Sequence, residues 1–198
     1  MPMPHALPYV VILLLVAILS GCGTTLIVPP GKPRDPAPVF VLDHGRHTSL
    51  VLSAPDGTLH RYAYGDWAYY AERDTSLLRG LAALLWPTPG ALGHRQLAGP
   101  ATASAVRQQV RVRIVELHGL QVERDRVEAL RNRLDTLIAG AEFRLPAPDV
   151  DLVFVPHPRQ YSLAHNSNQV VADWLTELGC DVSRRPILSG WRLQERMR

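Results

Sequence analysis

After an unbroken apolar run from Tyr9 to Leu19, hydrophobic positions recur along the chain in two rhythms, short bursts and longer helical stripes. Val39-Phe40-Val41-Leu42 is a burst of the kind found in a buried strand. His47 to Leu52 (HTSLVL) predicts a second strand and Pro55-Asp56-Gly57 a turn; the alternation in Thr58 to Tyr64 (TLHRYAY) predicts an antiparallel return. Leu77, Leu78, Leu81, Leu84 and Leu85 share one helical face behind Asp74 or Thr75 as N-cap, and Pro87 and Pro89 end that helix. Between Val106 and Leu117, Val110, Val112 and Ile114 alternate with Arg111 and Arg113, the pattern of a half-buried strand. Glu123 to Ala139 is the clearest helix, with Val127, Leu130, Leu134, Leu137 and Ile138 in phase and Gly140 as its stop. Val150 to Val155 reads as a strand between prolines, and Ser167 to Leu178 as a helix ending at Gly179. Hairpin-like early strands partly segregated from helices, without internal repeats, imply an α+β fold in which an antiparallel sheet packs against helices.

The opening run changes the picture at the amino terminus. About 7–15 apolar residues closed by small residues form a signal-peptide core, too short for a spanning helix of about 20. Leu19-Ser20-Gly21-Cys22 resembles the lipobox of bacterial lipoproteins. That resemblance implies a diacylglyceryl group on the Cys22 thiol, cleavage before it, and attachment to the membrane through an N-terminal lipid anchor. Gly23, rather than Asp, after the cysteine implies the outer membrane facing the periplasm in a Gram-negative cell. Met1 to Pro8 lacks the Lys or Arg of an ordinary signal, which keeps an uncleaved anchor or a start codon placed too far downstream as alternatives. Pro29 to Pro38 (PPGKPRDPAP) favours extended polyproline geometry. The expected organisation is therefore a signal peptide over 1–21, a lipidated cysteine and proline-rich tether over 22–38, and a single α+β domain over 39–198.

Composition mainly excludes. A formal net charge of +3 gives no footprint for nucleic acid. No Cys or His spacing suggests a zinc site and no glycine-rich phosphate loop occurs, so neither a metal nor a cofactor is expected. With Cys22 lipidated, Cys180 has no partner for an internal disulfide, and its place at a helix end predicts a buried, inert thiol.

Candidate chemistry gathers in three segments: His44-Gly45-Arg46-His47 at the start of a strand, Tyr62-Ala63-Tyr64-Gly65-Asp66-Trp67, and His165-Asn166-Ser167-Asn168 before the last helix. HGRHTSLVL, YAYGDW and NSNQVVADWLTELG together resemble the bacterial family called domain of unknown function 2459, over roughly Val39 to Cys180. The order is also similar to circularly permuted papain-like hydrolases related to NlpC-type cell-wall peptidases and lecithin–retinol acyltransferase. The resemblance implies His47 as general base and Ser167 in the place of the nucleophilic cysteine. It implies His60, with Asp66 as rival, as the residue orienting the base, and peptidoglycan or lipid as ligand.

Ser167 departs from that pattern. A thiol ionises beside a histidine cation, whereas a serine hydroxyl needs its proton removed during attack and an oxyanion site, here the helix start with Asn166 and Asn168. The substitution therefore makes either a serine hydrolase on a cysteine-enzyme scaffold or an inactive relative. Plain structural readings compete throughout. Asn166, Ser167 and Asn168 are all good N-caps, His44-Gly45 suits a tight turn with Gly45 at positive φ, and the tyrosines suit a core.

Overall fold

The computed structural model describes residues 23–71 and 86–196. The predicted signal peptide with Cys22, and the predicted helix carrying Leu77 to Leu85, lie outside the described residues. Among the described residues no helix is long and apolar enough to cross a membrane.

Alternating and β-branched segments pair in chain order as hairpins. Strands β1 (Thr25–Val28), β2 (Pro36–Asp43), β3 (Thr48–Ser53) and β4 (Leu59–Asp66) lead into a π-helical turn, Trp67–Ala71. After β5 (Thr88–Leu97) come helix α1 (Ala103–Gln109), β6 (Glu116–Glu123), helix α2 (Arg124–Ala139), β7 (Leu145–Ala147) and β8 (Leu152–Tyr161). Helix α3 (Ser167–Glu177) precedes the short strands β9 (Asp181–Val182) and β10 (Trp191–Leu193). Seven strands form one antiparallel sheet in the order β6-β2-β3-β4-β5-β8-β7, and β10-β1-β9 form a second, small sheet. The α+β class with a large antiparallel sheet and a few helices is thus as read from the sequence.

Both faces of the large sheet are covered, which explains the continuous apolar burst in β2. On one face Val39, Val41, Leu50, Leu52, Tyr62, Tyr64 and Leu92 pack against Val127, Leu130 and Leu134 of α2 and Val171 and Leu175 of α3. On the other, Phe40, Leu42, Val51, Leu59 and Leu97 meet Val106 and Val110. Each such aliphatic side chain removed from water stabilises the fold by about 1.5–3 kcal/mol.

Three expectations need correction. Residues 22–38 do not form only a tether: Thr25 and Ile27 are fully buried in β1, and β2 begins at Pro36. Pro36 and Pro38 fit because β3 joins β2 only from Val39 onward, so the proline end of β2 is an edge where a missing N–H is harmless. The strand expected over Val106–Leu117 is instead helix α1, capped by Thr102, followed by an unpaired segment and then β6. There Val110, Val112 and Ile114 pack against the same sheet face without forming a strand, while the Arg111 N–H donates to Asp151. Finally, β5 (TPGALGHRQL) was not foreseen, because its proline and glycines resemble breakers. Gly93 is needed there: a Cβ would stand 2.7 Å from the Phe154 ring of the neighbouring strand.

Candidate functional site

The β2–β3 connection is a tight turn. The His44 N–H donates to the His47 carbonyl at 2.9 Å, and Gly45 takes φ +95, a conformation that disfavours any side chain. The turn ends with His47 aimed at the start of α3. Its Nδ1 lies 3.4 Å from Ser167 Oγ, across 120 residues of sequence.

Helix α3 is capped by Asn166, whose side-chain oxygen accepts from the N–H groups of Asn168 and Gln169 at 3.0 and 3.1 Å. Ser167 is therefore released from capping, and its hydroxyl meets the imidazole instead. Asn168 is wholly occupied by the scaffold. It accepts from Thr48 Oγ1 at 2.7 Å and donates to the carbonyls of Arg46 and Ile187 at 3.1 and 3.0 Å. Trp191 Nε1 completes this clamp by donating to Thr48 Oγ1 at 2.8 Å. Four segments are thereby locked around Ser167, which is only 1% exposed.

Burial, reinforced by the charges of His44 and Arg46, pushes the His47 imidazole down to about 4. It is neutral at pH 7, the form a general base requires. Behind it, His44 is held in one tautomer. Its Nδ1–H donates to the Arg113 carbonyl at 2.8 Å while Nε2 faces Ser49 Oγ at 2.9 Å. Arg61, 2% exposed, donates from Nε to Ser49 Oγ and from NH1 to the Val150 carbonyl. Burial and Arg61 push His44 down to about 4 as well.

A cavity of about 100 Å³ opens beside this group. His44, His47, Ser49 and Arg61 line one side, and Val112, Val150, Leu152 and Phe154 give it apolar walls. Ser167 lies behind His47 rather than on the cavity wall.

The two proposed orienting residues are elsewhere. His60 pairs with Leu52 at the far end of β3, and its ring meets Thr58 and His94. Asp66 is buried and caps the π-helical turn, accepting from the Tyr69 N–H at 2.7 Å and from Thr88 Oγ1. Tyr69, whose N–H it holds, has its ring centroid 6.2 Å from that of His47. Tyr62 and Tyr64 are core residues. Cys180 is buried, which pushes its thiol up to about 12 and leaves it inert.

Sequence reading missed the His44–Ser49–Arg61 network, because its members converge from three different segments. It also missed a second cluster, His60, His94 and Asp135, whose ligand atoms all lie within 4.8 Å of one another. No spacing motif could flag it, since two strands and a helix supply one residue each. A comparison of the chain with protein families, curated proteins and solved structures finds no match.

Proposed function

We propose that this protein is a lipid-anchored cell-envelope domain in which Ser167 and His47 perform acyl transfer or hydrolysis on amide or ester bonds. The observation that carries the reading is the 3.4 Å approach of His47 Nδ1 to Ser167 Oγ, on a helix already capped by Asn166. That separation is long for an O–H···N bond, and catalytic contacts commonly tighten when substrate binds. Ser167 Oγ attacks the carbonyl carbon as its proton passes to His47 Nδ1. The proton goes on to the departing amine or alcohol, and water or an acceptor alcohol then releases the acyl group by the reverse route. Because Asn166 consumes the N–H groups of Asn168 and Gln169, the Ser167 N–H is the oxyanion donor left at the helix start.

The apolar cavity beside His47 suits a short acyl chain or aliphatic side chain, and peptidoglycan or lipid supplies such groups in the envelope. The reading is supported by the permuted papain-like order that the motifs HGRHTSLVL and NSNQ resemble, in which a histidine at an early strand faces a late helix start. The lipobox at Cys22 supports the anchored location.

A second reading is favoured by one observation: Ser167 is 1% exposed and does not line the cavity. On that reading the protein is an inactive binding or scaffolding lipoprotein. Serine-directed phosphonate labelling decides between them. Labelling of the full chain, lost in Ser167→Ala and in His47→Ala, supports acyl transfer. Absent labelling, or labelling that persists in Ser167→Ala, leaves the binding reading.

A further inference from the structure

We propose that His60, His94 and Asp135 form a three-ligand site for a divalent transition-metal ion of the zinc type, separate from the His47–Ser167 pair. His60 on β4 and His94 on β5 project from the same face of the sheet as Tyr62, whose register partner is His94. Helix α2 lays Asp135 over that face, and all three ligands are half-buried. His60 Nδ1 and His94 Nε2 are 3.1 Å apart. Two imidazole nitrogens bound to one tetrahedral ion at about 2.0–2.1 Å stand about 3.3 Å apart, so the two histidines need almost no movement, while the Asp135 carboxylate, within 4.8 Å of them, closes in to complete the set.

The surroundings hold each ligand in a competent orientation. Thr58 Oγ1 donates to Asp56 Oδ1 at 2.7 Å and lies 3.3 Å from His60 Nε2. Its remaining role toward His60 is to accept the Nε2–H, which turns the Nδ1 lone pair toward the site. The Tyr62 hydroxyl donates to Asp135 Oδ1 at 2.6 Å, and Arg131 donates to Oδ2 at 3.0 Å, fixing the carboxylate from both sides.

Arg131 and Arg144 oppose a cation here, whereas Asp56 and Asp135 favour it. His94 also lines an open groove with Arg95, Arg111 and Arg144. Three protein ligands leave one tetrahedral position for water or an anionic ligand, the arrangement of zinc sites that do chemistry.

The test titrates the chelator-stripped full chain with Co²⁺ and then displaces it with Zn²⁺. One equivalent giving an intense tetrahedral visible spectrum, lost in His94→Gln and Asp135→Asn with affinity lowered by roughly 100-fold or more, is the expected result. Zn²⁺ should also raise the Tm of the wild-type chain and of neither variant. A weak, water-like cobalt spectrum in the wild-type chain, or binding that survives both substitutions, overturns the proposal. The wild-type spectrum decides even where a variant folds poorly, and none of these readouts depends on Ser167.

Discussion

The turn entering β3 and the paired strands β4 and β5 carry histidine chemistry at opposite ends of the sheet, and the two ends differ in what the covering helix presents. At one end the N-terminus of α3 sets a hydroxyl against His47, in a clamp of buried asparagines. At the other, the middle of α2 sets a carboxylate against His60 and His94, beside an open, arginine-rich groove. A helix start offers N–H donors and small capping side chains, so it suits a developing negative charge. A helix middle offers no free backbone groups, and only side chains such as Asp135 give it polarity. One residue type is thereby directed to proton transfer at one end and to ligation at the other.

The sharpest division between the ends is kinetic. His47→Ala should slow phosphonate labelling of Ser167 by about 10³-fold, read by mass spectrometry over time. Treating the wild-type chain with a chelator should leave that rate unchanged; a dependence on metal would break the separation of the two ends.

Next in size is the clamp. Asn168→Ala strands the Arg46 carbonyl and shortens the bonding of Thr48 and Ile187, so denaturant unfolding should show a loss of about 3 kcal/mol or more. A loss under about 1 kcal/mol would mean that Ser167 is not held rigidly.

Acid sensitivity should come from both ends. His44, His47 and His94 have folded values near 4 against 6.5 when unfolded. The unfolded chain therefore gains protons first, and stability that is complete above pH 6.5 is lost as pH falls through 4. Each group contributes on the order of 3 kcal/mol at most. Denaturant midpoints measured from pH 7 to 4 should fall less steeply in His47→Gln, and a curve parallel to wild type would contradict the burial of His47.

The smallest effect separates cap from nucleophile. Asn166→Ala should cost about 1–2 kcal/mol, whereas Ser167→Ala should change stability by about 0.5 kcal/mol or less. Equal losses would make the Ser167 hydroxyl a structural group.

Periodicity was enough for α2 and α3, whose buried positions Val127, Leu130, Leu134, Val171 and Leu175 repeat at helical spacing, and for the β2–β3–β4 meander. It failed for β5, where close approach of Phe154 demands glycine and hides the strand, and for Val110 to Val115, where alternating burial arises without pairing. The pairing of His47 with Ser167 was expected only through the resemblance to permuted papain-like hydrolases, since no local pattern brings a turn residue to a helix start 120 residues away. Local sequence could not choose among Asn166, Ser167 and Asn168 as cap, because all three have suitable side chains; the surrounding carbonyls of Arg46 and Ile187 decided.

The sequence by itself determined the α+β class, the principal helices and the sheet hairpin, because local pattern carries that information, while its resemblances suggested the two residues of the proposed reaction. Tertiary structure alone decided that residues from Thr25 onward belong to the fold, that His60 and Asp66 serve places away from His47, and that His60 meets His94 and Asp135. Those outcomes depend on strand register and on which helix covers which end of the sheet, contacts between residues far apart in the chain that no local pattern records.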